Sequence, residues 1–180
     1  MRVTRIGAAF VVATVAALLA VAIPPALADG VPEGGPSANG GGQTAVFTFG
    51  FGAGTVGPSA SNTCVNNCTG SVDVRFTGSS GAHDFGDVCG LQVVVQVTGD
   101  AIIALARIIF VMDKNSTDYN ASPLFHTAGL FVADRDSPEG TDIVGFAAGF
   151  GGPLFCGDFS GVEPNPHDVL QGTVEVTPAA

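Results

Sequence analysis

Phe47, Phe49 and Phe51 alternate with Thr48 and Gly50, and this period of two constrains the fold more than any other feature of the chain. Side chains two residues apart on an extended chain share a face, so the run predicts a strand with one buried side. Val72, Val74 and Phe76 repeat the device, with Asp73 and Arg75 on the opposite face. Leu91, Val93, Val95 and Val97 repeat it again, and Thr98-Gly99-Asp100 offers a turn into the apolar run from Ala101 to Met112. A short turn between two apolar runs reads as a β-hairpin. In the second run Ile102, Leu105, Ala106 and Ile109 also fit a helical stripe. The β-branched Ile102, Ile103, Ile108, Ile109 and Val111 favour a strand. Further strands are expected at Thr127 to Val132, Asp142 to Phe146 and Val169 to Val176. With 26 glycines among short alternating segments, the expected class is all-β, an antiparallel β-sandwich or barrel.

The start of the chain predicts where such a domain works. Arg2 and Arg5 precede an apolar run from Ile6 to Ile23, and Ala26-Leu27-Ala28 supplies a small-x-small cleavage site. Residues 1–28 therefore read as a signal peptide, with Asp29 as the new N-terminus of a secreted product. Pro24 and Pro25 break the apolar helix before the cleavage site. No second apolar run of that length follows, so no stable membrane anchor is expected after cleavage. Residues 29–43, rich in Gly and Pro, read as a flexible leader. A single β domain is expected over 44–176, with a loose C-terminus at 177–180.

Residues 29–180 hold all 16 acids but only four cations, Arg75, Arg107, Lys114 and Arg135, a net charge of −12. Such a surface repels nucleic acid and anionic lipid. The expected partner is extracellular or envelope-associated, and nucleic acid is not expected.

Four cysteines in an exported chain read as two disulfides, with three connectivities open. The favoured pairing is Cys64–Cys68, whose spacer Val65-Asn66-Asn67 is turn-prone, and Cys89–Cys156, which closes a long loop. A zinc site on Cys64-x3-Cys68 would need two more ligands, and no His lies nearby in sequence.

Catalytic motifs are sparse, and no catalytic residue is assigned. Asp134, Asp136, Glu139 and Asp142 crowd one turn and are the candidate calcium ligands, since calcium takes six to eight oxygens. The turn is not an EF-hand, because Glu139 falls where that loop needs glycine; the alternative is a solvated acidic hairpin tip. Asp113, Asn115, Asp118 and Asn120 form a second oxygen-rich stretch in what reads as a long exposed loop, Asp113 to Phe125. His83 stands beside Asp84 and Asp87, and His126 and His167 add two more imidazoles. A serine hydrolase elbow, G-x-S-x-G, is not present, nor is the zincin motif H-E-x-x-H. Zero Trp and one Tyr, Tyr119, count against a sugar site. Gly52-Ala53-Gly54-Thr55-Val56-Gly57 matches a dinucleotide fingerprint, but Pro58 to Asn62 does not begin the helix that must follow. The residues thus point to a secreted, non-catalytic structural or binding module, without a cofactor unless calcium fills the acidic turn. The alternatives are a small secreted hydrolase using carboxylates or His83, and a calcium-stabilised extracellular module.

The order of these signatures resembles a group of small, uncharacterised secreted β-rich proteins from actinobacteria. The resemblance lies in Phe47–Phe51, Val88-Cys89-Gly90-Leu91, Val97 to Ala101, Val132 to Pro138, Cys156 and Gly172-Thr173-Val174-Glu175-Val176. It implies a β-rich fold and a Cys89–Cys156 bond, and it implies no activity. The Cys64-x3-Cys68 insertion and the stretch from Asp113 to Phe125 depart from the pattern.

Overall fold

The structure is a computed structural model that describes residues 34–57, 59–78, 80–98, 101–121, 126–135, 141–148, 155–162 and 165–179. The predicted signal peptide lies outside the described residues. Among the described residues ten strands follow in chain order. They are β1 (Ser37–Gln43), β2 (Phe47–Thr55), β3 (Thr63–Val65), β4 (Cys68–Phe76), β5 (His83–Thr98) and β6 (Ala101–Met112), then β7 (Thr127–Arg135), β8 (Ile143–Ala148), β9 (His167–Asp168) and β10 (Gln171–Thr177). One short helix, α1 (Thr117–Ala121), sits between β6 and β7. The chain is all-β, as the alternation predicts.

All strands belong to one antiparallel sheet in the order β10-β1-β2-β4-β5-β6-β7-β8-β9, with β3 beside β5. The sheet curls into a half-barrel. Its outermost strands, β9 and β10, are separated in the chain only by Val169 and Leu170. The last segment therefore pairs with β8, turns, and pairs with β1. Inside the curl lie Phe47, Phe49, Phe51, Val72, Val74, Leu91, Ile108, Phe110, Leu130 and Val144, all nearly inaccessible. Phe76 meets the Phe146 ring edge to face at 5.4 Å, and Phe47 packs tilted against Phe76 at 5.6 Å.

The leader reading of 29–43 is corrected over Ser37–Gln43, which form β1, while residues 29–33 lie outside the described residues. Ser37 to Gln43 pairs along its whole length with β10 on one side, and from Ala38 with β2 on the other. Composition misleads here because this strand contributes thinness rather than side chains. A Cβ on Gly40 would stand 2.8 Å from the Phe51 ring, so the glycine leaves the space that the ring fills. Backbone ladders on both sides hold what apolar burial does not. The domain also runs past 176, since Thr177 closes β10 and the Ala179 amide donates to Asn62 Oδ1 at 2.7 Å.

Strand β5 changes phase in its middle. The register slips between Val88 and Gly90, so Val88 points inward before the slip and Leu91 and Val93 point inward after it. Cys89 is the extra residue. Both favoured disulfides are present, Cys64–Cys68 and Cys89–Cys156. A Cβ on Gly90 would collide with the Cys156 carbonyl oxygen, so this glycine lets the bridged segment lie close on the sheet. Beside it a 3-10 turn, Phe159–Gly161, covers the outer face. Phe159 and Val162 bury Ile109 there, with Cys89 and Phe131 at the margin.

The β5–β6 hairpin outruns its neighbours. Val97 pairs with Ile102, and these remain 72% and 52% exposed although they continue the inward face. The alternation that predicts burial holds only as far as the curl extends.

Candidate functional site

A groove of about 650 Å³ lies on the outer face of β4, β5 and β6, under the segment that joins β6 to β7. The register lays out its floor. Asp73 on β4 stands directly opposite Phe85 on β5, and Ser71 stands opposite Asp87. On the far side Asp87 faces Val111 of β6. Asp87 and Phe85 are two apart on one strand and share its outer face, and directly opposed residues have Cβ atoms about 5 Å apart. A ring is thus flanked by two carboxylates. Asp113, Lys114, Tyr119 and His126 form the remaining wall.

The wall is held by side chains that imitate a strand. β6 stops at Met112, opposite Gly86, so the first residues of β5 need other partners. Asp113 N donates to Phe85 O at 2.8 Å, and the Ser116 hydroxyl both accepts from Phe85 N and donates to Phe85 O. Thr117 Oγ1 does the same for His83, accepting from its amide at 2.9 Å and donating to its carbonyl at 3.3 Å. The expectation of a long exposed loop over 113–125 is corrected within 113–121, because Ser116 is fully buried and α1 docks on β5; residues 122–125 lie outside the described residues. Of the second oxygen-rich stretch, Asp113 Oδ1 accepts from the Asn115 amide and side chain at 2.8 and 2.7 Å.

Asp84 sits under the helix with no exposed surface. Its Oδ1 accepts from the Asp118 amide at 2.9 Å, while its Oδ2 has no partner among the described residues. Burial pushes the Asp84 carboxyl above the ordinary value of 3.8, and the nearby Asp118 carboxylate adds to the rise. The Asp118 amide and His83 act in the opposite direction. A raised native value means that the folded state binds this proton more tightly than the unfolded chain. The contribution to stability is full below 3.8 and is lost as pH rises through the native value. Asp84→Asn keeps the acceptor without the charge. Its melting temperature is expected to change less than the wild type's between acid and neutral pH, and parallel curves would refute the assignment.

The predicted site residues fall in different places. His83 Nε2 meets Asp73 Oδ2 at 2.9 Å, and its ring stacks on Phe85 at 4.7 Å. Arg75 approaches the other oxygen of Asp73 at 3.2 Å. His126 stacks on Tyr119 at 4.2 Å, and His167 meets the Phe47 ring edge-on at 5.6 Å. The three imidazoles are not gathered into one site: His83 and His126 flank the groove, while His167 lies on β9.

Of the four candidate calcium ligands, Asp136 and Glu139 lie outside the described residues. Asp134 and Asp142 close the curl. Asp142 accepts from the Arg135 amide at 3.2 Å and the Val174 amide at 3.0 Å, and Asp134 accepts from the Val176 amide at 3.1 Å. Two acids of the turn therefore tie β7 and β8 to β10. Among the described residues no group of three or more His, Cys, Asp or Glu is placed to hold a metal ion.

Sequence reasoning singled out Asp113, Asp118, Tyr119 and the histidines but missed the groove. Its floor alternates acid and aromatic residues on the outer face of strands identified by their inner face. The unread signal was the register that sets Asp73 on β4 beside Phe85 and Asp87 on β5, one residue out of phase with the core.

Comparison with protein families, curated proteins and solved structures finds no match to this chain. The two disulfides fit a chain that folds under oxidising conditions. No helix among the described residues is long and apolar enough to cross a membrane.

Proposed function

We propose that the chain is a secreted, non-catalytic binding module that presents the β4–β6 groove to an extracellular or envelope partner. The groove carries the reading: about 650 Å³ lined by apolar, aromatic and charged side chains, within the size range of small-molecule sites. The support beneath it is rigid, with a packed interior and two disulfides. Such scaffolds commonly carry binding residues on connecting segments, and the segment after β6 supplies four of the lining residues. Arg2, Arg5 and the Ala26-Leu27-Ala28 site support export.

The test is a fragment screen read by amide chemical shifts on oxidised protein secreted from the full chain, which is expected to begin at Asp29. Saturable shifts should gather on Asp73, Phe85, Asp87, Val111 and Tyr119. Hits scattered over other faces, or none on the groove, would overturn the reading.

A further inference from the structure

We infer that the groove takes an organic ammonium group, seated over Phe85 and Tyr119 with Asp87 beside it. This rests on the reading of the groove as the binding site and names the class of ligand. Three carboxylates line the groove, Asp73, Asp87 and Asp113, against one lysine, Lys114, on a chain of net charge −10. An anionic ligand would meet repulsion both locally and from the whole molecule.

The carboxylates are not equivalent. Asp73 is engaged by Arg75 and His83, one on each oxygen. Asp113 holds Asn115. Asp87 is exposed and lines the groove, and its charge meets no counter-ion among the described residues.

The rings supply the second part. Phe85 is two residues from Asp87 on the same face, and Tyr119, partly buried against the packed interior, also lines the groove. Each ring stacks a histidine on one side, His83 on Phe85 and His126 on Tyr119. Those stacks fix the ring planes, and the rings still line the groove. An ammonium group beside an aromatic face and near a carboxylate gains from both the ring quadrupole and the charge. A neutral group of the same shape gains from neither.

Choline and its neutral isostere 3,3-dimethylbutan-1-ol, titrated at constant ionic strength and followed by amide shifts, separate the outcomes. Choline is expected to move Phe85, Asp87, Val111 and Tyr119 saturably and to bind at least about fivefold more tightly than the alcohol. Asp87→Asn and Tyr119→Leu should each weaken choline by a similar factor, while Tyr119→Phe, which keeps the ring, should retain it. Asp87 is exposed, so its variant is expected to fold, and its amide spectrum reports that directly. Equal binding of choline and the alcohol in the groove would overturn the ammonium assignment and leave the binding module standing. Unchanged choline affinity in Asp87→Asn would also overturn it. If neither probe moves the groove, the ammonium assignment fails, and the fragment screen then decides whether the groove binds anything.

Discussion

Replacing Cys89 and Cys156 together with alanine is expected to lower stability by about 4 kcal/mol. The bond joins residues 67 apart, so its loss restores to the unfolded chain the freedom of a long loop. The Cys64–Cys68 bond joins residues four apart, and the same reasoning gives about 2 kcal/mol for its removal. For a domain of this size the larger loss corresponds to a fall in melting temperature of roughly 10 °C. Native contacts add to the difference, because the Cys156 segment leads into Phe159 and Val162, which cover Ile109. Thermal melts of the two double variants at matched pH check the order. Equal effects, or a larger effect from the short loop, would mean that chain entropy does not govern these bonds.

Asp142→Ala is expected to cost about 3 kcal/mol, since the carboxylate serves two backbone amides, those of Arg135 and Val174. Both donors lose a charged acceptor where the curl meets its last strand. Chemical denaturation measures the total, and hydrogen exchange locates it. The Val174 amide should exchange faster in Asp142→Ala, and the Val176 amide in Asp134→Ala, where a single described bond is lost. Asp142→Asn should fall between wild type and alanine. Unchanged exchange at Val174 would show that the carboxylate does not hold β10 in place.

The strands were legible wherever one face is apolar. Phe47 to Phe51, Val72 to Phe76 and the hairpin from Leu91 to Met112 all stand where alternation places them. The β-branched side chains of the last run resolve its ambiguity toward strand. Three features were not legible, each for its own reason. β1 is nearly all small residues, and its order comes from partners distant in sequence, which no local pattern records. The segment from Asp113 is polar because its hydroxyls and amides complete the ladder of β5, so polarity there marks pairing rather than exposure. Asp134 and Asp142 stand in the sequence only as clustered acids, which carry no label for the backbone amides of β7 and β10 that their oxygens meet. Both disulfides were legible, because a four-residue spacing and one remaining pair leave little choice once Cys64–Cys68 is taken.

Ser37 and Thr177 are paired neighbours, so chain joined before or after the half-barrel leaves from adjacent points on one rim. The groove lies toward the opposite rim, where β5 begins and β6 ends. Attachment to a surface or a second domain by either end would point the groove away from the anchor. A short linker between the ends would cross neither groove nor sheet, so the protein should accept circular permutation, with new ends opened elsewhere on the anchored rim.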